Sequence, residues 1–559
     1  MRISKLIVIA ASSRWAAAQF VSGVTAGVNP QTGERPARLN INDFHRQGGP
    51  AWELFIQALT AMYETPEDDW LSWFQIAGIH GLPFKSYMGI GEGIGNMKMG
   101  YCPHGQLTFT TWHRPYLALV EQTLHSHAER IARTYTGPSA TTYLSAASTL
   151  RFPYWDWASD AQLPPIITTP TITINTPTAP NRTIPNPLYT YPFQTFPFTD
   201  PDMLPYDRFI HFNSTKRCTD VGPSSDGIHH YDVLSQTLGS IAAQVRDMTY
   251  DVFTKTARFA DMASVSGNGS SFENPHNMIH MLAGGHPLVP SRAGHIQPAE
   301  WAAFDVLFFL HHANVDRLFA MWQALHTDEE SRFTEDVFAT GMAVYGSPAQ
   351  RLTPDTPLKP FMRADGTFWT SRGVEGTRVF GYTYPGLEDW EYDGEELRRR
   401  VRGVVNELYG PRVGDGSAVT RRQEGGDGEV MQKDFAVGIS VDRADLTVPC
   451  SIEVRIGDEV AGEYSLLSMP KTGLGGASIP LRRALEKAGV EVEGRRTEDV
   501  VRELKDKISL VVKEGDQQRE TPGKEVKSLV VEIEERDFTP ARTADEFPRY
   551  GEKSTCVAN

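Results

Sequence analysis

His276-Asn277-Met278-Ile279-His280, followed after a loop by Phe308-Phe309-Leu310-His311-His312-Ala313-Asn314-Val315-Asp316-Arg317, is the stretch on which the fold and chemistry turn. Residues four apart on a helix share a face, so His276 and His280 can hold one ion together. The second run is rich in Phe and Leu, which suits a helix buried inside a bundle. From there His312 can close a three-imidazole site. Spacing alone does not separate His312 from its neighbour His311. A solitary histidine among the 16 in this chain is ordinarily a packed or solvated residue; the clustering overturns that reading here.

A second group lies upstream. It comprises Gly78-Ile79-His80, then Tyr101-Cys102-Pro103-His104-Gly105, then Thr111-Trp112-His113-Arg114-Pro115-Tyr116. His104 falls in a loop shaped by Pro103, and His113 opens an apolar helical stretch whose ring can face the same bundle interior. Three imidazoles per ion, with no carboxylate cluster or thiolate quartet nearby, argue for copper over magnesium, calcium or iron–sulfur. Zinc also accepts three histidines, but two such sites in one aromatic core favour copper.

The rest of the chain supplies context. Its 559 residues, 40% hydrophobic, are enough for a large core and two or more domains. Four scattered cysteines (Cys102, Cys218, Cys450, Cys556) fit neither a zinc ribbon nor a dense disulfide framework. A net charge of -15 disfavours nucleic acid and acidic membranes as partners. No stretch approaches the roughly 18 apolar residues of a membrane span, so a soluble protein is expected. Arg2 and Lys5 ahead of Leu6–Ala11, with Ala16-Ala17-Ala18 following, read as a secretory signal over residues 1–18, and a cytoplasmic protein if that signal does not work. Asn181, Asn213 and Asn268 each open a glycosylation acceptor pattern that chance often supplies.

Residues from about Asn40 to Tyr409 are rich in aromatics and His, with helical periodicity over Trp112–Ala128, Phe304–His326 and Glu395–Tyr409. Between Ile166 and Thr199 dense Pro and Thr predict a long surface excursion. The Gly-rich, charged segment 411–432 carries Arg421-Arg422 and reads as a protease-sensitive linker. Alternating runs at Phe435–Val441, Ser451–Ile456, Ile508–Val512 and Leu529–Ile533 then predict a small β domain over 433–559. There is no internal repeat of the kind expected for arrayed oxygen carriers.

Trp112-His113-Arg114-Pro115-Tyr116, His276-Asn277 with His280, and His311-His312 leading into Val315-Asp316-Arg317 resemble the two copper-binding signatures of tyrosinases, catechol oxidases and hemocyanins. Cys102-Pro103-His104 and the β tail resemble the fungal tyrosinase branch, of the secreted type. The resemblance implies a mainly α fold: a hemocyanin-like helical bundle over 19–410 with a central dicopper site, followed by a smaller β-sandwich-like C-terminal domain. It implies a type-3 pair of copper ions that works with O2, with His80, His104 and His113 on one ion and His276, His280 and His312 on the other. His311 is then a packing neighbour. It also implies a thioether between Cys102 and His104.

The implied activity is o-hydroxylation of monophenols and oxidation of o-diphenols to o-quinones. Glu273 and Asn277 resemble the pair that positions a proton-accepting water, which favours tyrosinase over a catechol or o-aminophenol oxidase; a hemocyanin-like oxygen carrier would share every ligand. The β tail is implied to cover the site until the linker is cut, with Arg421-Arg422 as the cut site. Asp316 and Arg317 are expected to brace the last metal helix, and Arg38 to partner Tyr382-Thr383-Tyr384. One departure stands out. Asp305 is followed by Val306 where the family usually has proline, so a local change at that helix start is expected.

Overall fold

The computed structural model describes residues 20–91, 98–205, 208–266, 269–285, 292–326, 340–411, 431–515 and 519–558. The expected signal segment, Asn268 and the Arg421-Arg422 pair lie outside them. Among the helices of the first part, six frame the site: α1 (Gly49–Glu64), α2 (Phe109–Ala132), α3 (Tyr231–Lys255), α4 (Glu273–Ala283), α5 (Val306–Leu325) and α6 (Gly394–Tyr409). In α5 every residue from Val306 to Trp322 is buried, as expected of a helix apolar on all sides. Its start is regular despite Val306. The Asp305 carboxylate accepts a hydrogen bond from Leu307 N at 2.9 Å, a cap on an orphan donor that does not depend on which residue stands at 306.

Charge inside this body is confined to knots. Asp316, on α5, accepts from Arg114 Nε at 2.6 Å, Arg38 Nη1 at 3.3 Å, Tyr382 OH at 2.5 Å and Tyr384 OH at 2.7 Å. Burial would raise its pKa, but Arg114 and Arg38 outweigh that and hold the carboxylate ionised. Arg38 also pairs with Glu121 of α2 at 2.8 Å and covers the Tyr382 ring at 3.6 Å. Such a fully paired cluster costs little, whereas removing one partner would strand a buried charge at roughly 3–5 kcal/mol. Arg317 is tied in the same way, to Tyr409 OH at 2.6 Å and Asp156 at 3.2 Å.

Residues 166–199 depart from expectation. They form a short 3-10 turn and a hairpin pairing Thr171–Ile174 with Arg182–Pro185, and they bury Leu188, Tyr191, Phe193 and Phe198. Phe193 and Phe198 meet the Trp301 ring edge-on, at 6.1 and 5.6 Å. The Pro and Thr set the local backbone, but the aromatics between them gain by leaving water and turn the segment into a core wall.

The C-terminal part is a sandwich of two antiparallel sheets. One orders Glu459–Leu466, Cys450–Ile456, Ile508–Glu514 and Arg519–Pro522; the other orders Leu474–Pro480, Gln432–Asp442, Val530–Thr539 and Arg549–Tyr550, with Ser554–Val557 also on Val530–Thr539. Alternation places Val437, Ile439 and Val441 in the core between the sheets. Two helices that the sequence reading did not anticipate, Arg482–Lys487 and Thr497–Lys507, connect the strands. Glu459–Leu466 packs on α4, which puts the sandwich directly against the histidine helices.

Candidate metal centre

The pocket follows from where the chain anchors its imidazoles. On α4, His280 Nδ1 donates to Ile296 O at 2.7 Å and His276 Nδ1 to Asn277 Oδ1 at 2.9 Å. His80 Nδ1 donates to Ala299 O at 2.9 Å, and His113 Nδ1 to Phe109 O one turn earlier at 2.8 Å. An acceptor at Nδ1 fixes the tautomer, so in all four rings Nε2 is left as a lone pair aimed inward.

These lone pairs converge. His276 Nε2 and His280 Nε2 lie 3.2 and 3.4 Å from His312 Nε2, and His80 Nε2 is buried with no partner among the described residues. His312 Nδ1 is likewise buried with no partner among the described residues, so that ring is free to turn a lone pair toward an ion placed among these nitrogens. Burial also holds the rings neutral: His113 is pushed down to about 3, His280 to about 4, and His80, His104, His276, His311 and His312 well below the ordinary histidine range. Neutral imidazole is the form that binds metal.

The six sequence-predicted histidines are therefore gathered in one buried cluster, with two refinements. In the first group the donors that approach within 4.8 Å of one another are His80, Cys102 and His113. The His104 ring stands beside them, its centroid 5.1 Å from that of His80, and Cys102 Sγ lies 3.6 Å from His104 Nε2 and 3.4 Å from His113 Nε2. In the second group four imidazoles come together, because His311 joins His276, His280 and His312. His312 links the two groups, its ring stacked on His113 at 3.9 Å.

Glu273 does not cap α4, whose N-cap is Phe272. One carboxylate oxygen accepts from Gly105 N at 2.6 Å and the other from Val265 N at 2.9 Å, so it staples the His104 loop to the helix. Burial raises its pKa, and the two amides pull it part of the way back. Asn277 has its amide orientation fixed from both ends. Its Nδ2 donates to Ser465 O at 3.3 Å, which leaves Oδ1 for His276.

Ser465 belongs to the sandwich, and that contact is one of several the sequence reading missed. Gly476 N donates to Val265 O at 2.7 Å, and Ser468 Oγ accepts from Ala299 N at 3.3 Å while donating to Glu300 at 2.6 Å. Arg443 packs against Gly105, which needs its φ of +67° and has no room for a side chain: a Cβ there would meet the guanidinium at 3.0 Å. Tyr464, fully buried, completes the cover.

A family model described as the common central domain of tyrosinase matches residues 71–325. A tyrosinase of Podospora anserina is 33% identical over 417 residues, spanning 70% of this chain and 69% of the relative. The chain belongs to the tyrosinase family. Among solved structures, latent and active mushroom tyrosinase superposes with a TM-score of 0.80 at 25% identity, covering 96% of this chain and 98% of that one. An Aspergillus oryzae pro-tyrosinase mutant shares the fold, with a TM-score of 0.73 at 23% identity over 96% and 97% of the two chains. Tyrosinases are type-3 dinuclear copper oxidoreductases, and a copper pair is the cofactor that suits these converging imidazoles.

Proposed function

We propose that this chain uses O2 to hydroxylate monophenols at the ortho position and to oxidise o-diphenols to o-quinones, and that it is latent while its sandwich covers the pocket. His80, His104 and His113 would hold one copper ion and His276, His280 and His312 the other. Cys102 Sγ, 3.6 Å from His104 Nε2, is within reach of forming the thioether with that ring, a two-electron oxidation for which O2 is the oxidant.

The observation that carries phenol hydroxylation is the anchored Glu273–Asn277 pair. When bound, the copper pair would supply the activation of O2, one atom of which goes to the ring and the other to water. The protein's task is the proton. A phenol has a pKa near 10, so presenting it as phenolate requires a base close by. Glu273 is buried one turn before His276, its pKa raised toward the range where a carboxylate works as a base. Each of its oxygens keeps a further lone pair for water. The Asn277 amide, rigid because His276 depends on it, can orient that water.

Two observations support latency. Segment Tyr464–Ser468 bonds both to Asn277 and to Ala299, whose own carbonyl aims His80, so the cover grips both histidine groups. Similar solved proteins carry "latent" and "pro-tyrosinase" in their descriptions. Secretion and a cut at Arg421-Arg422 fit this reading. Oxygen uptake on a monophenol and on its catechol, with copper-loaded protein before and after limited proteolysis, tests it. Activity on both substrates should rise on cleavage at constant copper content. Uptake on catechol alone would mean a catechol oxidase, and no rise on cleavage would remove the latency reading.

A further inference from the structure

Buried imidazole nitrogens ordinarily carry a hydrogen bond or a metal. His311 has no such hydrogen bond: its side chain has no solvent exposure, and both Nδ1 and Nε2 lack a partner among the described residues. The ring lies 4.8 Å from that of His276, nearly parallel at 19°, and 4.8 Å from that of His280, perpendicular at 89°. Trp157 is its other aromatic neighbour, but the indole N–H points to the His311 carbonyl at 3.4 Å and leaves the ring unpaired. One donor atom each from His276, His280, His311 and His312 falls in a set no wider than 4.8 Å.

Catalytic metal sites keep a coordination position open, whereas a site closed by four protein ligands holds its ion without reacting. We propose that His311 is a fourth, closing ligand of the second metal position, which takes a single cuprous or zinc ion as a tetrahedral four-imidazole site. This rests on the assignment of His276, His280 and His312 to that position. Release of His311 then opens the three-imidazole arrangement used in turnover. His311 is suited to this exchange because no acceptor fixes its tautomer, unlike the rings of His276 and His280.

The test uses the full-length metal-free protein with Co2+ as a spectroscopic probe and Zn2+ as its competitor, each at one equivalent. In the native sequence the first Co2+ should give the intense visible bands of a four-coordinate tetrahedral ion. His311→Phe and His311→Gln should each weaken first-ion binding at least about ten-fold and lose that intensity. Thermal melting of the metal-free variants checks folding, and if His311→Phe does not fold, His311→Gln decides. Unchanged first-ion affinity and spectrum in the folded His311 variants would overturn the proposal. His280→Gln is the arm that separates the two readings: if it too leaves the first ion undisturbed, the assignment of the second position fails as well.

Discussion

The two histidine groups solve the same problem with different backbones. The second is carried by two continuous helices, so its geometry is set by helical spacing and by packing that buries α5 throughout. The first is spread over the end of a short helix at His80, an irregular loop at His104 and the start of α2 at His113, and it depends on contacts brought in from elsewhere. Ala299 aims His80, Glu273 fixes the His104 loop, and Cys102 pushes its sulfur between the rings. A helix-borne site takes its spacing from its own sequence, even where Ile296 and Ser465 steady its side chains. A loop-borne site is made by its neighbours, and the sandwich touches those same neighbours.

That contrast can be broken in graded ways. The largest effect is expected from His280→Gln. Elemental analysis should find about half the copper retained, and oxygen uptake should vanish, because His280 is one of the three imidazoles assigned to the second copper in turnover. Next, Glu273→Gln should slow monophenol turnover by roughly 100-fold while leaving catechol turnover much less affected. Equal losses on both substrates would mean that Glu273 merely braces the His104 loop.

The third expectation concerns pH. Burial depresses the pKa of His113 to about 3 and of His280 to about 4, so below an unfolded value near 6.5 the unfolded chain binds protons that the metal-free folded chain refuses. Stability of the metal-free protein should therefore fall as pH drops from about 6.5 toward 4, by about 1.4 kcal/mol per unit for each such ring. Calorimetry of metal-free protein across that range would show it, and a flat melting temperature would refute the neutral-ring description.

Ser468→Ala removes one grip of the cover on Ala299 and Glu300. At about 1 kcal/mol for a lost hydrogen bond it should raise the activity of uncut protein about five-fold, with no change after proteolysis. Smallest of all, Val306→Pro should leave copper content and turnover unchanged and raise the melting temperature slightly, because the residue already occupies the first helical position, where proline is accepted.

What was legible in the sequence follows the same division. His276 and His280 at helical spacing, His312 on an apolar helix, the strands after residue 431 and the Arg38–Tyr384 partnership all declare themselves through local pattern or family motif, and the structure brings each of them together. The position of Cys102 among the first-group donors, the unpaired nitrogens of His311 and the grip of Ser465 on Asn277 do not. The last joins residues 188 apart in sequence. No periodicity encodes such a meeting, since it is settled by how two separately folded layers come to rest on each other. The aromatics of 188–198 were masked for a related reason: Pro and Thr dominate the composition there, while Tyr191, Phe193 and Phe198 dominate the packing.

The knot around Asp316 has a mechanical meaning. Arg38 N bonds to Thr383 O at 2.9 Å and Thr383 N to Pro36 O at 3.0 Å, while both side chains of Tyr382 and Tyr384 close on Asp316. The first and last stretches of the helical body are thus laced together behind the helix that carries His312, well before residue 411. A chain break farther along unties nothing in that lacing. If the proposed cleavage sheds the cover as a shell is shed, it leaves a kernel whose own seam is already closed.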